Sequence, residues 1–459
     1  MMRPFRSIEL AELYADSVVT ADVDVSEFSI DSRTLNAGSA YIALRGSHFD
    51  GHAFNAAAAE KGASLLVVDH PDTGATPQWI VPDTRLALGK IAAANRALSS
   101  AAVVALTGSS GKTTTKEMIA AMLSACGETL ATQGNLNNEI GVPKTLLRIA
   151  PEHQYAVVEL GANHLGEIAY TTRLVAPDVA LVLNAGRAHL AEFGSEENIR
   201  QAKGEILEGL SEAGVAVLNK DDKAYAQWVA RSPGRVVSFS VNDPSADVLA
   251  TLEQSGPLSS LVHLRGPDFE HSVVLPLAGA HNVANLAAAV AVMVALALPD
   301  HAWIPAIENI NSTPGRLEQH KVLGWQIIDD TYNANPESVQ AAIDVLSTLS
   351  GEQFLILGDL AELGEHTEEA HAAIGRYARP RIAGLWTVGQ AAQHSSRAFG
   401  PQGRHFSDQV ELINALVQHI TTQVARGKVG AILVKGSRSA AMDKVVQAVL
   451  GQLKKGVAS

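Results

Sequence analysis

The sequence predicts an α/β protein built from several domains. Aromatic residues make up only 5% of the 459-residue chain, and 37 glycines help to separate short runs rich in Ala, Val and Leu. Apolar runs of strand length, such as AAVVALTG, alternate with helical patterns, such as TTTKEMIAAMLSACG. Buried parallel strands covered by helices have this pattern, because both faces of such strands are apolar. The length fits roughly two to four domains of ordinary size.

The first two domains are predicted at residues 1–90 and 91–314. The first contains short strand patterns and one Ala-rich helix at residues 53–61, and it closes at the turn-rich stretch PDTGATPQWIVPDT. In the second, strand and helix patterns succeed each other from Ala101. Residues 235–276 then show β patterns without helices, before a long Ala-rich helix that follows GAHNVAN.

The third domain is predicted at residues 315–459. The strand patterns WQIIDD, QFLILGD, GLWTVG and GAILVKG alternate with helical patterns, as expected for a doubly wound, Rossmann-like sheet. The turn motif STPGRLE marks the preceding boundary near Pro314.

Composition and charge argue against several classes of protein. The chain has 35 Lys plus Arg against 48 Asp plus Glu, a formal net charge of −13. Because nucleic-acid coats depend on clustered cations, small-molecule partners are favoured over nucleic acid. The single cysteine, Cys126, excludes an intramolecular disulfide and a cysteine-held metal cluster. The N-terminus lacks the apolar core of a secretory signal, and the longest apolar run is too short to span a bilayer, so we expect a cytoplasmic protein without membrane insertion.

The strongest local signal is TGSSGKTTT, which follows an apolar strand and opens a helix. Its glycines let backbone N–H groups converge on a polyphosphate, Lys112 supplies charge to the outer phosphates, and the Thr113 hydroxyl is placed to bind Mg²⁺. The pattern G-x-x-G-K-T is two residues shorter than the common phosphate loop. The alternative of a Gly/Ser turn with a solvated lysine does not account for the coincidence of strand, glycines, Lys and Thr. The predicted ATP-binding loop comprises Thr107, Gly108, Ser109, Ser110, Gly111, Lys112, Thr113 and Thr114.

Three further residues are candidates for the chemistry. Glu159 ends the strand pattern YAVVEL, from which a carboxylate would reach a magnesium ion beside the loop. His189 follows the strand pattern DVALVLNAG, and Lys203 lies within the helix pattern QAKGEIL. Taken alone, these two are more simply a loop histidine and a helix-face lysine, and a lysine ammonium is a donor that cannot bind a metal.

These motifs, with others in order along the chain, resemble those of the Mur ligases. The segments are DSR (31–33), FDGH (49–52), NLNNEIGVP (135–143), VELGAN (158–163), NAGRAHL (184–190), AKGEI (202–206), GAHNVAN (279–285), PGRLE (314–318), DDTYNANP (329–336), LGDLAELG (357–364) and VKGSR (434–438). DDTYNANP and LGDLAELG resemble the dipeptide-adding members of the family. The string D-N-P-R, typical of the diaminopimelate-adding members, does not occur.

The resemblance implies an ATP-dependent acid–amino-acid ligase. Its three domains would be a small α/β domain for a uridine nucleotide, a central ATPase with a mostly parallel sheet, and a Rossmann-like C-terminal domain. It would join D-alanyl-D-alanine to UDP-N-acetylmuramoyl-tripeptide through an acyl phosphate, in peptidoglycan precursor synthesis. ATP and two Mg²⁺ ions are the implied cofactors, and we expect a monomer.

Two alternatives remain at this point. Folylpolyglutamate synthetases share the ATPase, but they carry the phosphate loop near the N-terminus, whereas about a hundred residues precede it here. A nucleotide switch or scaffold that binds ATP without ligation would not need Glu159, His189 and Lys203 together.

The resemblance also implies roles for single residues. Lys112, Glu159, His189 and Lys203 would be catalytic, with Thr113 and Glu159 on the first magnesium and His189 on the second. Lys203 matches a lysine that Mur ligases carbamylate, and the anionic carbamate can bind or orient around Mg²⁺. The further ATP contacts would be Asn282, Asn285, Arg316 and Asp330. The substrate contacts would be Ser32, Arg33, Asp50 and His52 at the uridine end, Asn137, Asn138 and Glu139 at the muramoyl-peptide, and Tyr332, Asn333 and Asn335 at the dipeptide.

Several of these residues have an equally simple structural explanation. DSR fits a capped turn, Asn282 a helix cap, and residues 137–139 a polar turn. Lys435 and Arg438, which follow a strand and open a helix, suit either carboxylate recognition or the solvated surface.

Overall fold

The computed structural model describes residues 1–46, 49–186, 190–256, 259–310 and 314–458. It contains three large sheets, each drawn from its own stretch of the chain, with helices packed on them. This arrangement confirms the predicted mixed α/β fold with mostly parallel sheets. No helix in these ranges is long and apolar enough to cross a membrane.

The N-terminal region forms a five-stranded sheet in the order β2-β7-β6-β5-β4, in which only β2 runs antiparallel to its neighbour. Its elements are β1 (Phe5–Arg6), α1 (Ser7–Leu13), β2 (Val18–Val19), β3 (Asp24–Val25), β4 (Phe28–Ser29), β5 (Ala40–Ile42), α2 (Asn55–Glu60), β6 (Leu65–Val68), β7 (Gln78–Ile80) and α3 (Thr84–Ala97). The predicted Ala-rich helix is therefore confirmed as α2, preceded by one 3₁₀ turn.

The central region forms a nine-stranded sheet in the order β16-β15-β14-β13-β12-β11-β8-β10-β9. Its elements are β8 (Ala102–Thr107), α4 (Lys112–Ser124), β9 (Thr129–Ala131), α5 (Gly141–Leu146), β10 (Tyr155–Glu159), α6 (Glu167–Val175), β11 (Val179–Val182), α7 (Leu190–Phe193), α8 (Glu196–Gly204), β12 (Val215–Asn219), α9 (Tyr225–Arg231), β13 (Arg235–Ser240), β14 (Val248–Ser255), β15 (Ser260–Arg265), β16 (Glu270–Leu275), α10 (Ala280–Ala295) and α11 (Asp300–Ile307). Strands β8 to β14 are parallel to their neighbours in this part of the sheet, whereas β14, β15 and β16 pair antiparallel. The last three strands lie in the stretch that was predicted to contain β patterns without helices.

Strand β8 lies at the position where the order of the parallel strands reverses. It pairs with β10 on one side and β11 on the other, so the loop after it opens into a crevice at the carboxyl edge of the sheet. Ligands bind at such switch points because the connections on the two sides diverge to opposite faces. The topology therefore places the predicted phosphate loop where a nucleotide site is expected.

The side chains of β8 explain why its sequence is continuously apolar. Val103 and Ala105 belong to the hydrophobic cluster on one face of the sheet, and Val104 and Leu106 belong to the cluster on the other face. All four are fully buried. Successive side chains of β8 point alternately to the two faces of the sheet, and both faces are buried. This is the physical reason for the continuous apolar run that predicted a parallel sheet.

The C-terminal region forms a six-stranded sheet in the order β17-β18-β22-β19-β20-β21, with only β17 antiparallel. Its elements are β17 (Glu318–Val322), β18 (Trp325–Asp330), α12 (Pro336–Ser347), β19 (Glu352–Leu357), α13 (Thr367–Ala378), β20 (Gly384–Val388), α14 (Gln393–Phe399), β21 (Gly403–Phe406), α15 (Gln409–Ala425), β22 (Gly430–Lys435) and α16 (Asp443–Ala458). Separate hydrophobic clusters cover its two faces, as in a Rossmann-like domain.

The N-terminal and central regions share a helix and a hydrophobic cluster, which their sequences did not predict. Helix α3 continues without a break across residue 90, and its residues Leu88 and Ile91 share one hydrophobic cluster with both Trp79 and Val103. The domain boundaries at residues 90 and 314 stay predictions. Residue 90 lies inside α3, and the first end of a helix or strand after it is the end of α3 at Ala97.

Candidate active site

The phosphate loop has the backbone shape that its glycines predict. Gly111 has φ +80°, and a Cβ atom there would lie 2.4 Å from Asn285 Oδ1. A Cβ atom at Gly108 would lie 2.9 Å from Leu183 Cβ. At Gly111 only glycine satisfies both the left-handed backbone and the close approach, and at Gly108 the close approach alone disfavours a side chain. Packing therefore favours the sequence G-x-x-G independently of any ligand.

Asn184 holds the phosphate loop, and it was not among the residues predicted for the site. Its side-chain Oδ1 accepts from the backbone N–H groups of Ser109 and Ser110, each at 3.0 Å, and its Nδ2 donates to the Ser110 carbonyl at 3.1 Å. Asn184 lies two residues after the end of β11 and is the first residue of the motif NAGRAHL. A polar side chain at the end of the strand next to β8 was the signal that would have found it.

Thr113 and Glu159 meet beside the loop, as expected for two ligands of one cation. The Thr113 hydroxyl donates to Glu159 Oε2 at 3.0 Å, and both residues are buried. The other oxygen, Oε1, accepts from Asn137 Nδ2 at 2.8 Å. Glu159 ends β10, whose register beside β8 brings its carboxylate to the same edge of the sheet as the loop.

Arg316 connects this pair to the C-terminal region. Its Nη2 donates to the Thr113 hydroxyl at 3.1 Å across 203 residues of sequence, and its guanidinium lies 4.2 Å from the centre of the Tyr332 ring. The Nε atom of Arg316 is buried and has no hydrogen-bond partner among the described residues. A buried, unpartnered donor beside the phosphate loop suits an anionic ligand, since leaving it unpaired is costly.

Of two lysines near the loop, Lys203 is buried and Lys112 is partly buried, and loss of solvation is the main cause of their altered pKa values. It lowers the pKa of Lys112 below its usual value, while its ammonium donates to the Gly108 carbonyl at 2.6 Å. Burial lowers the pKa of Lys203 to about 7, and the charge of Lys112 lowers it further in the same direction. The two lysines are thus electrostatically coupled, and Lys203 is close to half neutral at physiological pH.

Lys203 is buried and is not on the wall of the cleft. It is 1% exposed on α8, and its ammonium lies 5.4 Å from the centre of the Phe193 ring. The nearby Glu205 and Glu167 partly offset the effect of burial on its pKa. Glu205 also accepts from the backbone N–H groups of Gly166 and Ala169 at the start of α6, so it is held in place.

The two asparagine candidates of α10, Asn282 and Asn285, lie beside the loop. Asn282 donates from Nδ2 to the Ala278 carbonyl at 2.8 Å and accepts from Asn285 Nδ2 at 3.2 Å. Both asparagines are buried, and both line the cleft. Asn285 is the side chain that a Cβ at Gly111 would contact. Their predicted nucleotide contacts stay predictions, now with a location beside the phosphate loop.

The ribose candidate Asp330 is anchored within the C-terminal region. Its Oδ2 accepts from Lys435 Nζ at 2.6 Å, and the Lys435 side chain is 3% exposed. Lys435 also donates to the Asn333 carbonyl at 3.0 Å. Asn335 caps α12 by accepting from the Ser338 N–H at 2.8 Å. Lys435 is therefore buried and paired with Asp330, whereas the sequence suggested either carboxylate recognition or the solvated surface.

Residues 137–139 form the turn that precedes α5. Asn138 Oδ1 accepts from the Gly141 N–H at 2.9 Å, and Glu139 faces Arg85 of α3 at 3.8 Å. Each of these side chains, like that of Asn137, has a structural partner, and all three residues still line the cleft. Their predicted contact with the muramoyl-peptide stays a prediction.

A single cleft of about 1470 Å³ collects most of the predicted site. It lies between the central and C-terminal regions. The predicted residues on its wall are Ser109, Ser110, Gly111, Lys112, Thr113, Thr114, Asn137, Asn138, Glu139, Glu159, Asn282, Asn285, Arg316, Asp330, Tyr332, Asn333 and Asn335. Thr107, Gly108 and Lys203 are not on this wall. His189 falls outside the described residues.

The four uridine-end candidates belong to the N-terminal region and are not on the wall of this cleft. The Arg33 side chain is 87% exposed and forms an ion pair with Asp31 at 2.8 Å. His52 Nδ1 lies 2.6 Å from Asp50 Oδ1, and its Nε2 accepts from the Asp69 N–H at 3.2 Å. Ser32, which lies between Asp31 and Arg33, is buried. Their predicted roles stay predictions.

Three family profiles match successive parts of the chain. They are described as the Mur ligase family catalytic domain over residues 24–96, the Mur ligase middle domain over 106–293, and the Mur ligase glutamate ligase domain over 315–438. The matched ranges follow the three sheets in order.

Full-length relatives and solved structures agree with these profiles. The UDP-N-acetylmuramoyl-tripeptide–D-alanyl-D-alanine ligase of Escherichia coli K12 is 43% identical over 444 residues, which cover 96% of this chain and 97% of that protein. A crystal structure of MurF from Acinetobacter baumannii superposes with a TM-score of 0.93 at 36% identity, covering 98% of this chain and 99% of that one. MurF from Thermotoga maritima in complex with ADP gives a TM-score of 0.84 at 28% identity, with 94% and 98% coverage.

Proposed function

The chain belongs to the Mur ligase family, and on that premise we propose that it joins D-alanyl-D-alanine to UDP-N-acetylmuramoyl-tripeptide, with conversion of ATP to ADP and phosphate. The family and the dipeptide-adding type predicted from the sequence are both confirmed by the comparisons. The structural observation that carries the proposal is the meeting of Lys112, Glu159 and Arg316 in one interdomain cleft. This is an enzyme of peptidoglycan precursor synthesis, an ATP-dependent ligase.

The reaction needs ATP because a carboxylate is a poor electrophile. A carboxylate oxygen of the tripeptide attacks the γ-phosphorus, and ADP leaves, which gives an acyl phosphate. The free amine of the dipeptide then attacks the acyl carbon, the carbon–oxygen bond to phosphate breaks, and the nitrogen loses its extra proton. A phosphate dianion is a far better leaving group than oxide, so the second step becomes feasible at neutral pH.

The first step brings two anions together, and the cleft supplies the charge that makes this possible. Lys112 is held at the loop by the Gly108 carbonyl, and Arg316 reaches the same point from the C-terminal region. Fixed cations in a buried site stabilise the charge of a transferring phosphoryl group strongly, because they need no reorientation during the reaction. Arg316 would contribute only when the two regions are close together, as they are here.

The residues beside the loop also suit a magnesium ion. The hydroxyl of Thr113 and the carboxylate of Glu159 are hard oxygen donors 3.0 Å apart, the ligand type that Mg²⁺ prefers. When bound, the ion would neutralise phosphate charge and orient the reacting oxygens. We assign Thr113 and Glu159 to a first ion and keep the second ion, with His189, as an expectation from the family.

Lys203 has the properties that carbamylation requires. Only the neutral amine attacks CO₂, forming an N–C bond and releasing one proton, and a pKa of about 7 supplies neutral amine at physiological pH. The product is an anion, which removes the repulsion between Lys203 and Lys112. We propose that the carbamate faces the cleft side of α8 and helps to hold the second magnesium.

The N-terminal region is proposed to bind the uridine end through Ser32, Arg33, Asp50 and His52. We further propose a monomeric enzyme of the cytoplasm, where nucleotide-linked precursors and ATP are available.

The test is dipeptide-dependent phosphate release. Purified protein, Mg²⁺, ATP and UDP-N-acetylmuramoyl-tripeptide are incubated with and without D-alanyl-D-alanine, and both phosphate and the ligated product are measured. We expect phosphate release in proportion to product, and only with the dipeptide present. Phosphate release that is the same without dipeptide would favour an ATP-binding switch or scaffold and reject the ligase.

A further inference from the structure

The backbone residues on either side of Arg316, Gly315 and Leu317, are hydrogen-bonded to the segment 330–332. The N–H of Tyr332 donates to the Gly315 carbonyl at 3.0 Å, and the N–H of Leu317 donates to Asp330 Oδ1 at 3.3 Å. Gly315 has φ +70°, and a Cβ there would lie 3.3 Å from the Tyr332 nitrogen, so glycine permits this close approach. The backbone on both sides of Arg316 is therefore fixed to residues 330–332.

The side chain of Arg316 is fixed by the same segment. Its guanidinium lies 4.2 Å from the centre of the Tyr332 ring, a distance typical of a cation–ring contact. In this position Nη2 donates to the Thr113 hydroxyl at 3.1 Å, while the buried Nε keeps its hydrogen free of any partner among the described residues. The ring thus orients the guanidinium without using its N–H groups.

An aromatic support differs chemically from a carboxylate support. A carboxylate paired with Arg316 would neutralise it and would compete with phosphate oxygens for its N–H groups. The Tyr332 ring and the Thr113 hydroxyl carry no formal charge, so the guanidinium keeps its full charge and an available donor for an incoming anion.

We propose that Tyr332 is a positioning residue that holds Arg316 for the terminal phosphate of ATP, instead of a contact for the dipeptide as the sequence resemblance implied. The proposal rests on the proposed ligase function. It also links two parts of the ATP site, because Asp330, the ribose candidate, accepts from the backbone of the same bracketed segment. Sensing of the ribose and of the terminal phosphate would then be coupled through residues 315–317 and 330–332.

The experiment compares Tyr332→Leu, which removes the ring, with Tyr332→Phe, which keeps it. For Tyr332→Leu we expect kcat/KM for ATP to fall about tenfold, an effect between those of an exposed and a fully desolvated cation–ring contact. The KM for D-alanyl-D-alanine should stay within about twofold of wild type, and Tyr332→Phe should behave like wild type. Tyr332→Met serves as a second ring-free variant if Tyr332→Leu does not fold, as judged by its melting temperature.

A surface pair provides the matched control. The Arg381 guanidinium lies 3.8 Å from the centre of the Tyr377 ring on α13, away from the cleft wall. Tyr377→Leu removes the same kind of contact and should leave the ATP and dipeptide parameters unchanged. A similar loss in Tyr377→Leu would show that any cation–ring contact in this region affects the enzyme, and it would overturn the specific role of Tyr332.

Two further measurements separate this proposal from its alternatives. In an Arg316→Ala background, Tyr332→Leu should cause no additional loss, because the ring acts through the arginine. A raised KM for the dipeptide with unchanged ATP parameters would assign Tyr332 to the dipeptide pocket and overturn the proposal.

Titration calorimetry tests the proposal without ligation. Tyr332→Leu should weaken binding of a non-hydrolysable ATP analogue about tenfold and leave ADP binding unchanged. Equal weakening of ATP-analogue and ADP binding would overturn the role of Tyr332 at the terminal phosphate. This binding test gives its answer independently of whether the protein is a ligase.

Discussion

The interdomain cleft and the N-terminal uridine-end candidates use charge in opposite ways. Around the interdomain cleft, Lys203 is buried and Lys112 is partly buried, and neither is paired with a carboxylate at ion-pair distance among the described residues. In the N-terminal region, Arg33 is exposed, and its guanidinium is paired with Asp31, the residue two positions earlier. A buried, unpaired cation is costly to the fold and is expected only where a ligand compensates for it.

This contrast indicates that charge interactions with the substrates are stronger in the cleft than at the uridine-end candidates. Charges in a water-excluded cleft interact strongly with phosphate, whereas an exposed arginine is screened by water and already satisfied by its neighbour. We therefore expect substitutions in the cleft to affect turnover severely, and substitutions at the uridine-end candidates to affect mainly the apparent affinity for one substrate.

The largest effect is expected for Lys112→Ala. Removing this cation should lower kcat by a factor on the order of 10³, because it stabilises charge that develops during phosphoryl transfer. Folding should be retained, which circular dichroism and the melting temperature would check. If steady-state phosphate release stayed within about threefold of wild type, the loop would not bind the phosphates as assigned.

Lys203→Ala should also be inactive, and the reason is measurable by carbon NMR. With ¹³CO₂, the wild-type protein should show a carbamate carbonyl signal that the variant lacks. At fixed dissolved CO₂ the signal should grow as the pH rises through about 7, since a lowered pKa means that the reactive neutral amine increases over this range. Short-chain carboxylic acids should partly restore turnover in the variant by replacing the anion. A wild-type enzyme that turns over without any carbamate signal would contradict the proposed modification.

The smallest effect is expected for Arg33→Ala. Its KM for UDP-N-acetylmuramoyl-tripeptide should rise by about fivefold or less, with kcat and the KM for ATP unchanged, because the side chain is exposed and paired with Asp31. The increase should shrink at higher ionic strength. A loss of kcat comparable to that of Lys112→Ala would break the contrast between the two regions.

Local sequence patterns were sufficient for much of the fold. Continuous apolar runs identified β8, β10, β11 and β12, because strands buried on both faces must be apolar throughout. The short helices α5, α6 and α9 were not predicted. Helices this short depend on packing more than on their own sequence pattern.

The site was predictable where chemistry and local backbone coincide. Gly108, Gly111, Lys112 and Thr113 lie within one turn between a strand and a helix, so their spacing alone predicts a phosphate loop. Asn184 was missed because its importance comes from the pairing of β11 with β8, which places it beside Ser109 and Ser110. Strand order is a tertiary property, and the local sequence does not specify it.

By itself, therefore, the sequence determined the α/β class, the phosphate loop and, through its motifs, the ligase family. The tertiary structure decided which residues meet: Arg316 with Thr113 across two regions, Lys435 with Asp330, and Tyr332 with Arg316. The physical reason is that backbone geometry and burial patterns act over a few residues, whereas these contacts arise only after separate sheets pack around one cleft. The low pKa of Lys203 has the same origin, because desolvation depends on everything that surrounds the amine.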